Sequence, residues 1–308
     1  MGRYVVRRLL QMLPVVIGTT FLIYVMVWAL PGDPFAGKCG QRPCPESYVA
    51  AMTEKFNLDQ NVFVQYAVYM SNLVRGDFGE TFGGVQVADE LARVYPTTLK
   101  LALLAVAIEI VIGIIAGVVA GLRKGGFADN LVLVSTLFVI SIPIFVIGYA
   151  LQFVLGVEIG LFPVTVSPEA RLYELLLPAF VLASTTLAYV ARLMRTNLVE
   201  NLRADYVRTA VAKGMPPGRV IGVHTLRNSL IPVITLIGAD FGALLGGAIV
   251  TEGIFNINGV GGLIFSSIQR MEGALVTGAV TVLVLIFLLV NLLVDLLYAV
   301  LDPRIRYE

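Results

Sequence analysis

Hydrophobic residues run along the chain in six long stretches that charges barely interrupt. Residues 9–32 and 131–156 contain no charged side chain, and 175–191 is a shorter uncharged run. The other three stretches contain one or two charges each: Thr97–Leu122, Asn228–Thr251 and Gly273–Leu301. A helix needs about 20 mostly apolar residues to cross a bilayer, where backbone groups must bond within their own segment. The pattern therefore predicts an all-α membrane protein with six transmembrane helices.

The first stretch has the basic start of a signal peptide, with Arg3, Arg7 and Arg8 before it. It is longer than the roughly 7–15 apolar residues of a signal peptide, and no Ala-x-Ala site follows it. We therefore expect a retained helix over 1–32. Pro143 interrupts the third stretch and is the one helix-breaking residue in its middle.

Basic residues are unevenly divided between the segments that join these stretches. Segments 1–8, 123–130, 192–227 and 302–308 carry 14 Lys and Arg in 59 residues, whereas the intervening segments carry 7 in 103. Because cytoplasmic loops carry the excess of Lys and Arg, both termini are predicted to be cytoplasmic. The expected organisation is a helix over 1–32, an extracytoplasmic region over 33–96, a five-helix core over 97–303 and a cytoplasmic tail over 304–308. The core contains a long cytoplasmic loop at 192–230.

Composition narrows the classes of function. The chain is 57% hydrophobic and only 14% charged, with a mean hydropathy of +0.86. Soluble domains average about 25% charged residues, so an ordinary cytosolic enzyme is excluded. The net charge of +1 argues against a nucleic-acid partner. The lipid bilayer is the first expected partner.

The two cysteines, Cys39 and Cys44, both fall in the predicted external region. An oxidising exterior permits a disulfide between them, and the alternative is a pair of free thiols. His224 is the sole histidine and lies on the opposite side in the predicted topology, so no zinc site is expected.

The cytoplasmic loop contains a predicted short helix, Ala204–Lys213. Asp205 in its first turn and Lys213 in its last match the helix dipole, and Gly214 lies where a helix stop is expected. Val207, Ala210, Val211 and Gly214 form a stripe of small and apolar residues at helical spacing. Such a stripe can dock in a groove on a partner protein, or pack against the cytoplasmic ends of its own bundle. The residues alone leave both open.

Three acidic residues and one asparagine within the predicted spans are candidates for a functional or structural role. Glu109 and Asp240 are near span centres, where a charge is costly, so each should face the bundle interior or a watered cavity. There they could line a path, or form a structural pair. Asp295, with Asn291 four residues earlier on the same face, is expected to be a structural anchor near the cytoplasmic end.

Gly113, Gly117 and Gly121 repeat at helical spacing, a pattern typical of close helix packing.

Several motifs resemble those of one family. Segment 205–214, DYVRTAVAKG, and segment 223–233, VHTLRNSLIPV, are similar to the cytoplasmic EAA-type motif of ABC-importer permeases, in the dipeptide, oligopeptide and nickel branch. Segments 250–263 and 291–304 also resemble that branch, and 1–34 is similar to its DppB/OppB-type subunit. Two features depart from the family pattern: Arg208-Thr209-Ala210 replaces Glu-Ala-Ala, and the Cys39–Cys44 pair is not expected from it.

The resemblance implies a type-I ABC importer permease fold, and that the short helix docks in a cleft of a cytoplasmic ATPase. The residues carried over to this coupling role are Asp205, Arg208, Thr209, Ala210, Lys213 and Gly214. The expected partners are a second, homologous permease in a heterodimer, two ATPase subunits or one fused ATPase, and an extracytoplasmic substrate-binding protein. ATP and Mg would bind in the ATPases, because the sequence has no G-x-x-x-x-G-K-[ST] loop.

The function expected from this resemblance is import of di- and oligopeptides across the cytoplasmic membrane of a prokaryote. The chain would form half of the path, with no catalytic residue, cofactor or metal of its own. Nickel, haem and glutathione are alternative substrates within the same architecture. An ATP-independent secondary transporter is a further alternative, but the sequence shows no matched halves.

Overall fold

The computed structural model of the chain describes residues 2–28, 35, 38–40, 43–245 and 248–301. Helices account for most of this part, and its only β pairing is an isolated antiparallel bridge between Glu80 and Gln86. The predicted tail 304–308, the end of the first predicted helix and the side chain of Asp295 lie outside what is described.

In chain order the helices are α1 (Gly2–Trp28), α2 (Glu46–Lys55), α3 (Val62–Val74), α4 (Val87–Ile108), α5 (Ile114–Leu122), α6 (Phe127–Ser141), α7 (Ile144–Leu151), α8 (Leu172–Asn201), α9 (Asp205–Ala212), α10 (Pro217–Arg219), α11 (Arg227–Leu245), α12 (Ile249–Ile254), α13 (Val260–Gln269) and α14 (Gly273–Leu301). Three π-helical segments extend them, at Glu109–Gly113, Gln152–Glu158 and Val220–Leu226. The all-α prediction is confirmed for the described residues.

Within the described part of the chain, five helical segments are long and apolar enough to cross a membrane: Val5–Trp28, Val87–Leu122, Leu172–Asn201, Pro217–Leu245 and Gly273–Val294. A sixth candidate, Phe127–Ser141 with Ile144–Glu158, is bent by 102° at the break between its halves. Pro143 lies in this break, with φ −57° and ψ 139°, and the residue before a proline disfavours helix. The count is therefore five, or the predicted six when the bent pair is one span.

The first of two compact units combines residues within 1–98, 245–249 and 258–292. Its core forms where the first half of α4 packs with α13 and α14, through Val87, Leu91, Val94, Val260, Ile264, Leu275, Ala279 and Leu283. Two long-range hydrogen bonds tie earlier helices to α14: Trp28 Nε1 donates to Thr277 Oγ1 at 3.2 Å, and the Tyr69 hydroxyl donates to Thr281 Oγ1 at 2.8 Å.

The second unit combines residues within 99–244, 250–257 and 293–308, and α8 is central to it. Gly113, Gly117 and Gly121 lie against α8. A Cβ on Gly117 would lie 2.6 Å from both the Ala191 carbonyl oxygen and Met194 Cβ. The close helix packing predicted from Gly113, Gly117 and Gly121 is confirmed. Met194 and Leu198 of α8 also pack with Val233 and Ile237 of α11.

Candidate coupling surface

The short helix predicted in the cytoplasmic loop is α9, and its ends follow from local chemistry. Ala204 is extended before its first residue, Asp205, and Lys213 follows its last. Gly214 then takes φ +75°, a left-handed conformation that ends helices and that glycine adopts without strain. Pro217 begins α10 as its first helical residue, a position that proline favours.

The small-residue stripe of α9 does not lie on a single exposed face. Val207 and Ala210 are 5% and 6% exposed and pack with Val220, next to Met215, within the same unit. Val211 is 59% exposed, and Gly214 is also exposed. In this structure the methyl group of Ala210 packs against its own chain, and its predicted role in docking stays a prediction. The helix turns by about 100° per residue, which separates Ala210 from Val211.

The outer surface of α9, which we call the coupling surface, contains the other five carried-over residues together with Val211. They are Asp205, Arg208, Thr209, Val211, Lys213 and Gly214, all exposed. Arg208 Nη1 lies 3.5 Å from Asp205 Oδ1, and both side chains are largely exposed. Such a pair adds little stability in water, so both groups are available to a partner.

A polar junction formed by Tyr206, Asn201 and Ser229 attaches α9 to α8 and α11, and it was not predicted from the sequence. The Tyr206 hydroxyl donates to Asn201 Oδ1 at 2.7 Å, at the end of α8. The Asn201 amide nitrogen donates in turn to Ser229 Oγ of α11 at 3.1 Å. Asparagine and serine near a helix end are common at the sequence level, so no local signal distinguishes these two.

Glu109 and Asp240 are brought close enough to interact electrostatically. Glu109 is fully buried, and neither of its carboxylate oxygens has a hydrogen-bond partner among the described residues. Asp240 Oδ1 accepts a hydrogen bond from Thr186 Oγ1 at 2.8 Å, while its Oδ2 is buried without a described partner. Glu109 is thus enclosed within this chain, whereas Asp240 is half-buried, and the roles predicted for both residues stay predictions.

The remaining predicted residues lie elsewhere. Asn291 donates to the Phe287 carbonyl of its own helix at 2.9 Å. Its predicted partner Asp295 has a side chain outside the described part.

Cys39 and Cys44 are joined by a disulfide, with 5.2 Å between their Cα atoms. Beside it, Lys38 Nζ binds the Arg270 carbonyl at 3.0 Å and Glu272 Oε1 at 2.6 Å.

The chain matches two family models that together cover most of its length. Residues 110–307 match the binding-protein-dependent transport system inner membrane component, and residues 1–102 match the N-terminal component of the same systems. The chain belongs to this permease family. It is a multi-pass protein of the prokaryotic inner membrane with the type-I ABC importer permease fold, and the predicted resemblance is confirmed.

Curated relatives align with the permease from end to end. It is 35% identical to the di/tripeptide transport system permease protein DppB of Pseudomonas aeruginosa, over 99% of each chain. It is 34% identical to the oligopeptide transport system permease protein AppB of Bacillus subtilis, and 35% identical to the glutathione transport system permease protein GsiC of Escherichia coli, over 100% of each chain. A transport permease that depends on a binding protein works with a substrate-binding protein and an ATPase.

Proposed function

We propose that this permease imports di- and oligopeptides. The supporting observation is its end-to-end similarity to permeases named for di/tripeptide and oligopeptide transport. Glutathione, itself a tripeptide, is the second candidate, because a glutathione permease is similar to the same degree. Uptake of labelled Ala-Ala, a pentapeptide and glutathione by cells with and without the gene distinguishes these substrates; no uptake of any of them would contradict the proposal.

The proposed assembly pairs this chain with a second, homologous permease, each forming half of the path. Five or six spans support this, since they surround only part of a pathway for a peptide. Two ATPase subunits, or one fused ATPase, would bind ATP and Mg and carry out hydrolysis, and this chain would have no catalytic role. Mass measurement of the intact complex extracted in detergent gives the stoichiometry directly.

The coupling surface of α9 is the proposed contact with the ATPase. It is carried by one observation: α9 has an outer face with exposed Arg208, Val211 and Lys213, while Val207 and Ala210 hold its inner face to the bundle. Because one face of α9 packs on the bundle and the other is exposed, a movement of a bound partner would displace α9 and with it the helices on which it packs. The charged rim around an apolar centre is typical of a protein contact.

Substitution on the outer face tests this contact without disturbing the inner one. Val211→Glu and Thr209→Glu, both at exposed positions of α9, would each bury an unpaired charge at the ATPase contact, which is costly. Both variants should reduce peptide uptake and co-purification of the ATPases at unchanged membrane expression. Val74→Glu, at an 84% exposed valine of α3, is the matched control for ATPase co-purification. Normal uptake and association in both α9 variants would rule the surface out.

We also propose that both termini face the cytoplasm and that the region 33–96 is external, where the Cys39–Cys44 disulfide is chemically stable. The uneven distribution of Lys and Arg supports this orientation. The coupling surface then lies on the side where ATP is hydrolysed.

A further inference from the structure

The side-chain amide of Asn201, at the carboxyl end of α8, forms three hydrogen bonds to three elements. Its Oδ1 accepts from the hydroxyl of Tyr206 in α9 at 2.7 Å. Its nitrogen donates to the Asn197 carbonyl of α8 at 2.9 Å and to Ser229 Oγ of α11 at 3.1 Å. An amide nitrogen has two hydrogens, so no donor capacity is left over.

The branch toward α11 continues into the buried interior of the second unit. Ser229 Oγ donates to the Thr225 carbonyl at 2.8 Å, and Thr225 Oγ1 donates to the Val220 carbonyl at 3.1 Å. Ser229 and Thr225 are fully buried. Thr225 belongs to the π-helical segment Val220–Leu226, and π-helical turns are frequent at functional sites. The chain of bonds therefore runs from the outer helix into the start of a membrane helix.

Two attachments hold α9 to the bundle, and they differ in kind. The apolar one, formed by Val207, Ala210 and Val220, keeps α9 in place but is not directional. The polar one, from Tyr206 through Asn201 to Ser229, fixes angles as well as distances, because hydrogen bonds weaken steeply when bent. Loss of the polar attachment would leave α9 docked on its bundle but free to rock.

We propose that Asn201 is the positioning residue that makes α9, the end of α8 and the start of α11 move together, so that ATPase closure reaches two membrane helices at once. This inference rests on the proposed coupling role of α9. Asn201 touches neither ATP nor peptide in this arrangement. Its contribution is to the efficiency with which hydrolysis drives transport, which is separable from docking of the ATPase.

Three substitutions separate the branches of the junction. Tyr206→Phe removes only the bond between α8 and α9. Ser229→Ala removes the bond from Asn201 to α11, together with the bond from Ser229 to the Thr225 carbonyl. Asn201→Asp keeps the acceptor for Tyr206 but cannot donate to Asn197 or Ser229. Tyr189→Phe is the matched control, since it removes a hydroxyl from a half-exposed tyrosine of the same helix α8.

The experiment reconstitutes the complete transporter in liposomes and measures ATP hydrolysed per molecule of labelled Ala-Ala imported. Asn201→Asp should raise this ratio about fivefold, and Tyr206→Phe and Ser229→Ala about twofold each, while ATPase co-purification stays at the wild-type level. Mutations between two coupled sites change the coupling between them by factors of this size. Tyr189→Phe should match the wild type.

An unchanged ratio in all three variants, with the ATPases still bound, would overturn the proposal. Loss of ATPase binding in Asn201→Asp would also overturn it, because the residue would then serve docking and not transmission. If Asn201→Asp fails to insert, the ratio for Tyr206→Phe decides, since its side chain is partly exposed and its loss leaves no buried group unpaired except Asn201 Oδ1. A wild-type permease that binds no ATPase would instead refute the proposed function.

Discussion

The guanidinium group of Arg195 in α8 holds the carboxylate of Asp129 in α6 with two parallel hydrogen bonds. Nε lies 2.9 Å from Oδ1 and Nη2 lies 2.8 Å from Oδ2. The backbone N–H of Gly125 donates to the same carboxylate at 2.8 Å. The Asp129 side chain is 2% exposed, so this fork fixes the beginning of α6 against α8.

We expect Asp129→Ala to destabilise the permease by about 2 kcal/mol, because it removes these charged hydrogen bonds and leaves Arg195 unpaired. Arg195→Lys should cost less, since it keeps the charge but loses the two-pronged geometry. Glu90→Ala removes a partly exposed i,i+3 pair with Arg93 and should change stability by less than about 1 kcal/mol. Thermal unfolding in detergent checks all three, and equal effects of Asp129→Ala and Glu90→Ala would contradict the structural role.

Gly117→Ala should destabilise the contact between α5 and α8 by about 1–3 kcal/mol. Its new Cβ would lie 2.6 Å from the backbone oxygen of Ala191, so the helices must separate. Gly18→Ala in α1 is the matched control, because a Cβ there meets no atom within 4 Å, and alanine favours helix. Thermal unfolding of both variants in lipid nanodiscs makes the comparison. Equal stability of the two variants would show that α5 does not approach α8 this closely.

Reporter fusions should reveal the route of the bent pair α6 and α7. After Pro96, Gly125 and Leu172, the reporter should read outside, inside and outside, if the pair crosses the membrane once despite its 102° bend. If the pair instead turns back within the membrane, the fusion after Leu172 reads inside. That single reversal would reduce the spans to five and place the carboxyl terminus on the opposite side.

Mass measurement should show the Cys39–Cys44 disulfide in the permease purified from membranes without reductant. We expect alkylation of neither thiol before reduction and of both after it, because the sulfur atoms are bonded in the structure. Labelling of both thiols without reductant would contradict the external placement or the bond. Cys39→Ser with Cys44→Ser should also free the loop that carries Lys38, and so weaken its contact with Glu272.

The sequence by itself determined the features that depend on neighbours along the chain. Long uncharged runs predict spanning helices because lipid offers no partner to a charge or an open backbone group. The boundaries of α9 follow from Asp205 and Gly214, since dipole and backbone preferences act within one turn. The spacing of Gly113, Gly117 and Gly121 identified a packing face because a helix brings every fourth residue to one side.

Tertiary structure decided which residues of different helices meet. Ala210 and Val211 are adjacent in the sequence and similar in polarity, yet only the position of Val220 makes one a bundle contact and leaves the other exposed. Asn201 joins Tyr206 and Ser229 because α8, α9 and α11 converge there. A hydrogen bond needs two atoms within about 3 Å, and separation along a chain does not specify that distance. The residue pattern of one segment determines its secondary structure, and the packing of the helices determines which residues it contacts.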